Sequence, residues 1–318
     1  MKYSGIGGQA VIEGIMMMKG EDYAVAVRRP DKEIEVKKDT YQSITKKAKI
    51  LQLPFVRGAF RFADSMIIGM RSLTYSASFF EDDEDAEPGK FEQFLDRVFG
   101  EKLESAIMAA VLVISFILAI GIFMLLPLGI ANLFKGVITS DHLMAVLEGV
   151  IRIAIFIIYI KLVSRMEDIR RTFMYHGAEH KCINCVEHGH PLTVKYVRES
   201  SKEHKRCGTS FILIVMVISI LMFMVIRVDT IWMRILSRII LVPVIAGISY
   251  EVLQCAGRSN SKFMDLVSRP GMWMQGLTTK EPDDSMIEVA IAATEAVFDW
   301  REYLTENFPG WEKQLEES

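Results

Sequence analysis

The chain has 318 residues, of which 51% are hydrophobic and 24% are charged, and its formal net charge is -3. Soluble domains are less apolar and bare bundles of membrane helices carry fewer charges, so the composition excludes both and indicates apolar spans joined to polar segments. The small net charge gives no reason to expect a nucleic-acid partner.

The cysteines and the N-terminus bear on the cellular compartment. Cys182, Cys185 and Cys207 share one His-rich polar stretch instead of being spread along the chain as disulfide pairs would be. This arrangement favours a reducing compartment. Residues 1–14 contain glycines and a glutamate where a signal peptide has its apolar core, so we expect no cleavable signal.

Residues 1–53 predict a small cytoplasmic segment that contains β structure. Residues 23–28 (YAVAVR) and 33–37 (EIEVK) alternate in polarity on either side of a Pro-Asp turn, which is typical of a β-hairpin. The glycines of GIGGQAVIEG have no predicted strand before them and no helix after them, which excludes a dinucleotide-binding fingerprint and favours tight turns. Gln9 and Glu13 are polar candidates for a functional site.

Residues 54–80 predict an amphipathic helix. Apolar residues recur there at helical spacing and are interrupted by arginines, so we expect the helix to lie at the membrane interface or to pack on the helical bundle. Residues 81–105 begin with the acidic run EDDEDAEP and predict a solvated linker followed by a juxtamembrane segment.

Four apolar stretches of about 20 residues predict transmembrane helices. They are residues 106–130 and 142–163, which form a first hairpin over 106–163, and residues 208–226 and 235–256, which form a second hairpin over 208–256. The second and fourth stretches contain Glu148, Arg152 and Glu251, and charges inside a membrane are functional candidates. Glu148 and Arg152 are one helical turn apart, so each is placed to neutralise the other.

Lysine and arginine residues indicate the orientation. They concentrate in the central loop over residues 164–207, and few occur at the hairpin tips, so the positive-inside rule places this loop and both termini in the cytoplasm. Residues 257–318 predict a further cytoplasmic segment, whose amphipathic helix starts at a capping box of Ser285 and Glu288. The predicted fold is an α-helical polytopic membrane protein with a small α+β region formed by the N-terminal segment, the central loop and the C-terminal helix.

The central loop holds the residues most suited to chemistry, since five of the six histidines lie between residues 176 and 207. His176, Glu179 and His180 have the H-x-x-E-H spacing, which on a helix puts two imidazoles on one face beside a carboxylate. We predict that the helix of the second span continues through these residues. The two histidines on it then bind a divalent metal such as zinc. Cys207 or His204 completes the ligand shell, and Glu179 takes a proton from bound water.

A second ligand set is possible in the same loop. Cys182 and Cys185 form a C-x-x-C pair that, with Cys207 and one of His180 or His204, would make a closed structural zinc site. The third interpretation is that these groups are unliganded thiols and surface histidines.

The segments YHGAEHKCINC, RCGTSF, GGQAVIEG, PFVRG and RPGMWMQGLTTKEPDDSMIEVAI together resemble the YqhQ-type family of bacterial membrane proteins. The resemblance covers nearly the whole chain. It implies a protein of the bacterial cell membrane, from a family of unknown function whose members are labelled predicted metal-dependent enzymes. The site residues that it implies are His176, Glu179, His180, Cys185, Arg206, Cys207, Gln9, Glu13, Gln275, Thr278 and Glu281. Cys182 and Lys205 depart from the family pattern, which favours His176 and His180 as the metal pair.

Three functional hypotheses follow. The first is hydrolysis of a lipid-linked, peptide or other membrane-near substrate at a cytoplasmic metal site. The second is an accessory or quality-control factor that acts on other membrane proteins and uses the metal structurally. The third is transport through Glu148, Arg152 and Glu251, which four spans without an internal repeat disfavour unless the chain oligomerises. The lipid bilayer is the expected partner in all three.

Overall fold

The computed structural model describes residues 2–80, 103–226, 230–258 and 261–315. The predicted acidic linker at residues 81–105 therefore lies almost entirely outside the described residues. The chain forms two compact units. The first contains Met1–Phe80, Ile160–Met222 and Ile226–Ser318, and the second contains Glu81–Tyr159 and Phe223–Val225.

A four-stranded antiparallel sheet opens the chain. Its strands pair in sequence order and are β1 (Ile6–Val11), β2 (Gly14–Lys19), β3 (Asp22–Arg28) and β4 (Ile34–Thr40). The pairing of β3 with β4, in which Val25 lies opposite Lys37, confirms the predicted hairpin. The interpretation of the early glycines as tight turns is wrong, because Gly7 and Gly8 lie within β1 and Gly14 begins β2.

Helices form most of the remaining described chain. In order they are α1 (Val56–Ala77), α2 (Leu103–Ile120), α3 (Leu126–Asn132), α4 (Asp141–Val163), α5 (Glu167–Glu187), α6 (Val194–Glu199), α7 (Gly208–Val225), α8 (Ile231–Arg258), α9 (Lys262–Thr278), α10 (Asp284–Val297) and α11 (Trp300–Asn307). Short 3₁₀ segments lie at Ile44–Lys47, Lys49–Gln52 and Trp311–Leu315. The predicted amphipathic helix is confirmed as α1.

Four helical segments of the described chain are long and apolar enough to cross a membrane. They are Ala110–Asn132, Asp141–Val163, Gly208–Val225 and Ile239–Gly257. Each predicted apolar stretch is therefore a long helix, and these segments are called the candidate spans below. The first candidate span contains a π-helical turn at Gly121–Leu125, which joins α2 to α3.

Two local predictions need correction, and one helix was not predicted. α5 does not continue α4, because a turn over residues 164–166 separates the two helices. α9 was not predicted, and Pro270 lies in its middle. α10 begins one residue before Ser285, because the Asp283 carboxylate accepts from the Met286 N–H at 3.0 Å, so the cap is Asp283 and not the Ser285 and Glu288 pair.

The sheet of the first unit separates two apolar layers because alternate side chains of a strand face opposite sides. Ile15 and Met17 of β2 belong to a core that contains Tyr175 of α5 and Ile287 of α10. Met16, between them, belongs to the opposite layer, which contains valines of β3 and Ile68 of α1. The sheet thus supports α5 on one side and α1 on the other.

α1 also packs closely on α8, the fourth candidate span. A Cβ on Gly58 would lie 2.7 Å from Tyr250 Cβ and 2.9 Å from Gly247 Cα, so glycine allows the two helices to approach. The Arg57 guanidinium donates twice to the Glu251 carboxylate, at 2.7 and 2.6 Å. The predicted charge of the fourth span is therefore neutralised by the amphipathic helix.

Candidate metal centre

The candidate metal centre is formed by His176, His180 and Cys207. The two histidines lie one turn apart on α5 with ring centroids 4.4 Å from each other, and Cys207 is the residue that caps the start of α7. One ligand atom from each of the three residues lies within 4.8 Å of the other two. The predicted helical H-x-x-E-H arrangement is present, and Cys207 joins it from a distant part of the sequence.

Hydrogen bonds to backbone carbonyls fix the tautomers of both histidines. His176 Nδ1 lies 2.9 Å from the Thr278 carbonyl oxygen, and His180 Nδ1 lies 2.6 Å from the Lys202 carbonyl oxygen. A carbonyl oxygen only accepts hydrogen bonds, so each Nδ1 carries a proton, and in the neutral imidazole it is Nε2 that keeps the lone pair. This is the arrangement that orients metal-binding histidines in proteins. His176 Nε2 lies 3.2 Å from Cys207 Sγ.

Side chains of α5 hold the loop that leads to Cys207. The buried Lys181 ammonium donates to the carbonyls of Arg198 and Ser200, both at 2.9 Å. Asn184 donates to the carbonyls of Ser201 and Glu203, at 2.7 and 2.9 Å. With the His180 bond, side chains of α5 donate to five carbonyls within residues 198–203, which fixes the loop against the candidate metal centre.

Glu179 lies beside the three ligand residues in a cavity of about 130 Å³. Burial raises the pKa of its carboxyl, while the nearby His176 and a hydrogen bond from the Gly8 N–H act in the opposite direction. β1 can approach this closely because residue 8 is glycine: a Cβ would lie 3.1 Å from Glu179 Cγ and 2.5 Å from the Met16 carbonyl oxygen. A carboxyl group with a raised pKa in a cavity is suited to exchanging a proton with a bound substrate or water.

A buried carboxylate that the sequence did not single out lies next to the cavity. Glu187 accepts from the Ser4 N–H at 2.9 Å and from the Ser4 hydroxyl at 2.8 Å, and it also pairs with Arg206. Burial alone would raise the pKa of Glu187, but the His204 hydrogen bond and the Arg206 charge outweigh it and lower it to about 2. Glu187 is therefore a charged anchor that ties the N-terminus to α5.

His204 lies near the ligand group but is not part of it. Its ring centroid is 5.8 Å from that of His180, and its Nε2 faces the Glu187 carboxylate at 3.5 Å. Burial lowers the pKa of His204 to about 4, so the ring is neutral at pH 7 and donates to Glu187. The structure thus selects Cys207, and not His204, as the residue that stands with His176 and His180.

The C-x-x-C ligand set is not assembled. Cys182 and Cys185 are fully buried in the apolar core, and the Cys185 thiol donates to the Pro191 carbonyl at 3.3 Å. Burial raises the pKa of Cys185 to about 12, which disfavours the thiolate that metals bind. Cys185, which the resemblance implied as a site residue, lies apart from His176, because helical spacing puts both cysteines on the side of α5 that packs in the core.

Three predicted residues from the C-terminal segment support the centre without entering the ligand group. The fully buried Gln275 side chain accepts from the His204 N–H and donates to the His204 carbonyl and to Ser210 Oγ, each at 2.8 Å. Thr278 supplies the carbonyl that orients His176. Glu281 forms ion pairs with Lys181 and with Lys202, at 3.0 and 3.1 Å.

The remaining candidates lie elsewhere. Glu13 sits in the β1–β2 turn with a positive φ of 47° and accepts twice from Arg171, at 2.5 Å each. Gln9 faces α1, where a Cβ on Gly69 would overlap its side-chain oxygen. Glu148 and Arg152 form the predicted ion pair within α4, at 2.6 Å. The charges in the candidate spans that were proposed for transport are thus separately paired, since Glu251 is paired with Arg57 of α1.

Known proteins resemble this chain over most of its length. A family model described as "Protein of unknown function (DUF1385)" matches residues 53–300. The chain is 34% identical over 286 residues to "Uncharacterized protein YqhQ" of Bacillus subtilis (strain 168), and the alignment covers 90% of this chain and 89% of the relative. No solved structure matches it. The resemblance read from the sequence is confirmed, and neither description states an activity.

Proposed function

The chain belongs to the DUF1385 family, and we propose from the geometry of its site that it is a metal-dependent hydrolase of the bacterial cell membrane. In this proposal the candidate spans cross the bilayer as two hairpins. The metal centre and both termini face the cytoplasm, as the distribution of positive charge indicates. The substrate is then a molecule that reaches the enzyme at the membrane surface.

The observation that carries the proposal is the set of three convergent ligands beside a cavity. Two imidazoles with fixed Nε2 lone pairs and one thiol are typical ligands of zinc. Ligand nitrogen and sulfur atoms around a tetrahedral zinc lie roughly 3.5 Å apart, given bond lengths of about 2.0 and 2.3 Å. The 3.2 Å between His176 Nε2 and Cys207 Sγ fits such a pair with a shift of a few tenths of an ångström.

Three protein ligands leave a fourth position for substrate or water, which is typical of catalytic zinc and not of closed structural sites. Bound zinc would supply Lewis acidity at this position. In this proposal Glu179 accepts a proton from a water in the cavity and returns it to the leaving group. The neighbouring Gly8 N–H holds its carboxylate in place.

Elemental analysis of the detergent-purified protein tests the metal. We expect about one zinc ion per chain in the wild type and its loss in the His176→Ala/His180→Ala variant. The His188→Ala/His190→Ala variant is the matched control, because these histidines follow on the same sequence segment but lie outside the ligand group. Absence of metal from gently purified wild-type protein would overturn the proposal.

The role of Glu179 separates an enzyme from an accessory factor. The Glu179→Gln variant should keep the metal and the fold but fail to complement a deletion strain, because glutamine cannot exchange the proton. Full complementation by this variant would favour the second hypothesis, in which a structural metal stabilises a quality-control factor for other membrane proteins.

A further inference from the structure

Helix α9 is amphipathic in the opposite sense to a surface helix of a water-soluble protein. The polar residues on its buried face are Ser268, Gln275 and Thr278. The large apolar residues on its exposed face are Phe263, Leu266 and Trp273, which are 70%, 59% and 64% exposed. They follow one another at intervals of three and seven residues and so share one side of the helix. These three residues are called the apolar stripe below, and an exposed stripe of this kind marks an interaction surface.

The contacts of α9 place the apolar stripe at one end of the candidate spans. α9 approaches the first turn of α7, the third candidate span, so closely that a Cβ on Gly271 would lie 2.6 Å from Ser210 Oγ. It also packs on α8, and the fourth candidate span ends at Gly257, five residues before α9 begins. The ends of membrane helices lie where the hydrocarbon core meets the lipid head groups. In the proposed membrane topology the stripe is therefore level with the head groups.

Two cationic side chains accompany the apolar stripe. Lys262 is the first residue of α9, Arg269 lies between Leu266 and Trp273 in sequence, and both are exposed. Neither forms an ion pair within the part of the chain that the structure describes. Lysine and arginine beside an apolar helix face are typical of helices that lie on anionic membrane surfaces, and tryptophan is enriched at head-group level. The charges and the stripe thus complement the same surface.

α1, which also packs on α8, has the same inverted arrangement. Phe62, Met66 and Met70 are exposed on it, whereas Asp64 and Ser72 are buried. A bilayer surrounds its membrane helices on all sides, so it accounts for the exposed apolar side chains of both α1 and α9. A single partner helix would have to cover both. The lipid surface is therefore the occupant that these two helices favour.

We propose that α9 lies in the head-group layer of the membrane, with the apolar stripe turned towards the acyl chains and with Lys262 and Arg269 bound to anionic head groups. This inference rests on the proposed function only for the presence of the bilayer. The inward face of the same helix supports the candidate metal centre, since the carbonyl of Thr278 orients His176. α9 thereby joins the lipid surface to the metal centre.

Nitroxide labels on the full-length protein test this placement in nanodiscs of phosphatidylcholine and phosphatidylglycerol. One cysteine at a time is introduced in a Cys255→Ser background, because the other native cysteines are buried. Collisions of the label with oxygen, which concentrates in lipid, are compared with collisions with a water-soluble nickel chelate. We expect the labels of the Leu266→Cys and Trp273→Cys variants to shift towards oxygen.

Two reference positions calibrate these labels. Ile240 is exposed on the fourth candidate span, so a label there reports the bilayer, and Val36 is exposed on β4, so a label there reports water. Stripe labels that match the Val36→Cys label, while the Ile240→Cys label favours oxygen, would overturn this inference and leave the proposed hydrolase intact. Stripe labels shielded from both reagents would overturn it in favour of a second copy or a partner protein. An Ile240→Cys label that favours nickel would overturn the membrane location itself, and the inference with it.

Head-group binding is tested by quenching a fluorophore on the Leu266→Cys variant with phosphatidylglycerol that carries a nitroxide on its acyl chain near the head group. Adding Arg269→Gln should raise the lipid fraction needed for half-quenching about fivefold, a change equivalent to ~1 kcal/mol for one surface charge. Quenching by phosphatidylcholine with the same label should not change. Arg301→Gln is the matched control, because Arg301 is an exposed arginine of α11. Equal quenching by phosphatidylglycerol in the two variants would overturn the assignment of Arg269 to anionic head groups.

Discussion

Replacing Gly177 by alanine tests whether the backbone behind the metal centre orients His176. A Cβ at residue 177 would overlap the Lys280 carbonyl oxygen and lie 3.2 Å from its carbonyl carbon. Two residues earlier, Thr278 accepts the hydrogen bond from His176 Nδ1 at 2.9 Å. The segment must therefore move away from α5 in the variant, and this hydrogen bond lengthens beyond its effective range.

The expected effect is a weaker metal site in a folded protein. Loss of a group that orients a metal ligand typically lowers metal affinity 10–100-fold, or about 1.4–2.8 kcal/mol. Alanine favours a helix over glycine by about 1 kcal/mol, so a weaker helix cannot account for the loss. Zinc affinity is measured by competition with a chromophoric chelator in detergent.

Gly276→Ala is the matched control for this measurement. Gly276 is also a helical glycine, on α9, and a Cβ there would meet nothing within 4 Å. We expect its zinc affinity to equal that of the wild type. If the Gly177→Ala protein elutes as folded and binds zinc as tightly as the wild type, the reasoning about the Thr278 carbonyl is refuted.

Three further predictions concern stability. Gln275→Ala removes three buried hydrogen bonds and should cost about 2–4 kcal/mol, seen as a lower thermal midpoint in detergent; an unchanged midpoint would contradict this. Glu148→Gln alone should reduce accumulation because it removes the carboxylate that pairs with Arg152. The Glu148→Gln/Arg152→Gln double variant should recover, and equal levels in both variants would count against the pairing. His204, with a folded pKa of about 4, and Glu187, with a folded pKa of about 2, both bind fewer protons when folded. The free energy of unfolding should therefore fall as the pH drops from about 6.5 through 4 because of His204, and again from about 4.5 towards 2 because of Glu187. Thermal midpoints measured between pH 7 and 4 should fall less in the His204→Gln variant than in the wild type.

The parts of the fold that the sequence predicted depend on local patterns. Runs of about 20 apolar residues identified all four candidate spans, because length and composition alone decide whether a helix can cross a bilayer. The His176 and His180 pair was predicted for a similar reason, since a spacing of four residues puts two side chains together on any helix.

The remaining features depend on contacts between distant segments. Whether Cys185 faces a metal or the core depends on where the sheet packs on α5, and the C-x-x-C spacing is the same in both cases. β1 was missed because Gly8 reads as a turn residue, although it is needed where the strand meets Glu179. Glu187 was missed because its partner Ser4 is 183 residues away in the sequence.

The support of His176 by Thr278 has a consequence for how the protein is made. Thr278 follows His176 by 102 residues and leaves the ribosome only after the fourth candidate span. At a synthesis rate of about 5–20 residues per second, the nascent chain carries His176 for roughly 5–20 s before that carbonyl exists. At the proposed metal site, tight binding therefore awaits near-complete translation, and a chain truncated before α9 would carry all three ligand residues but bind the ion more weakly.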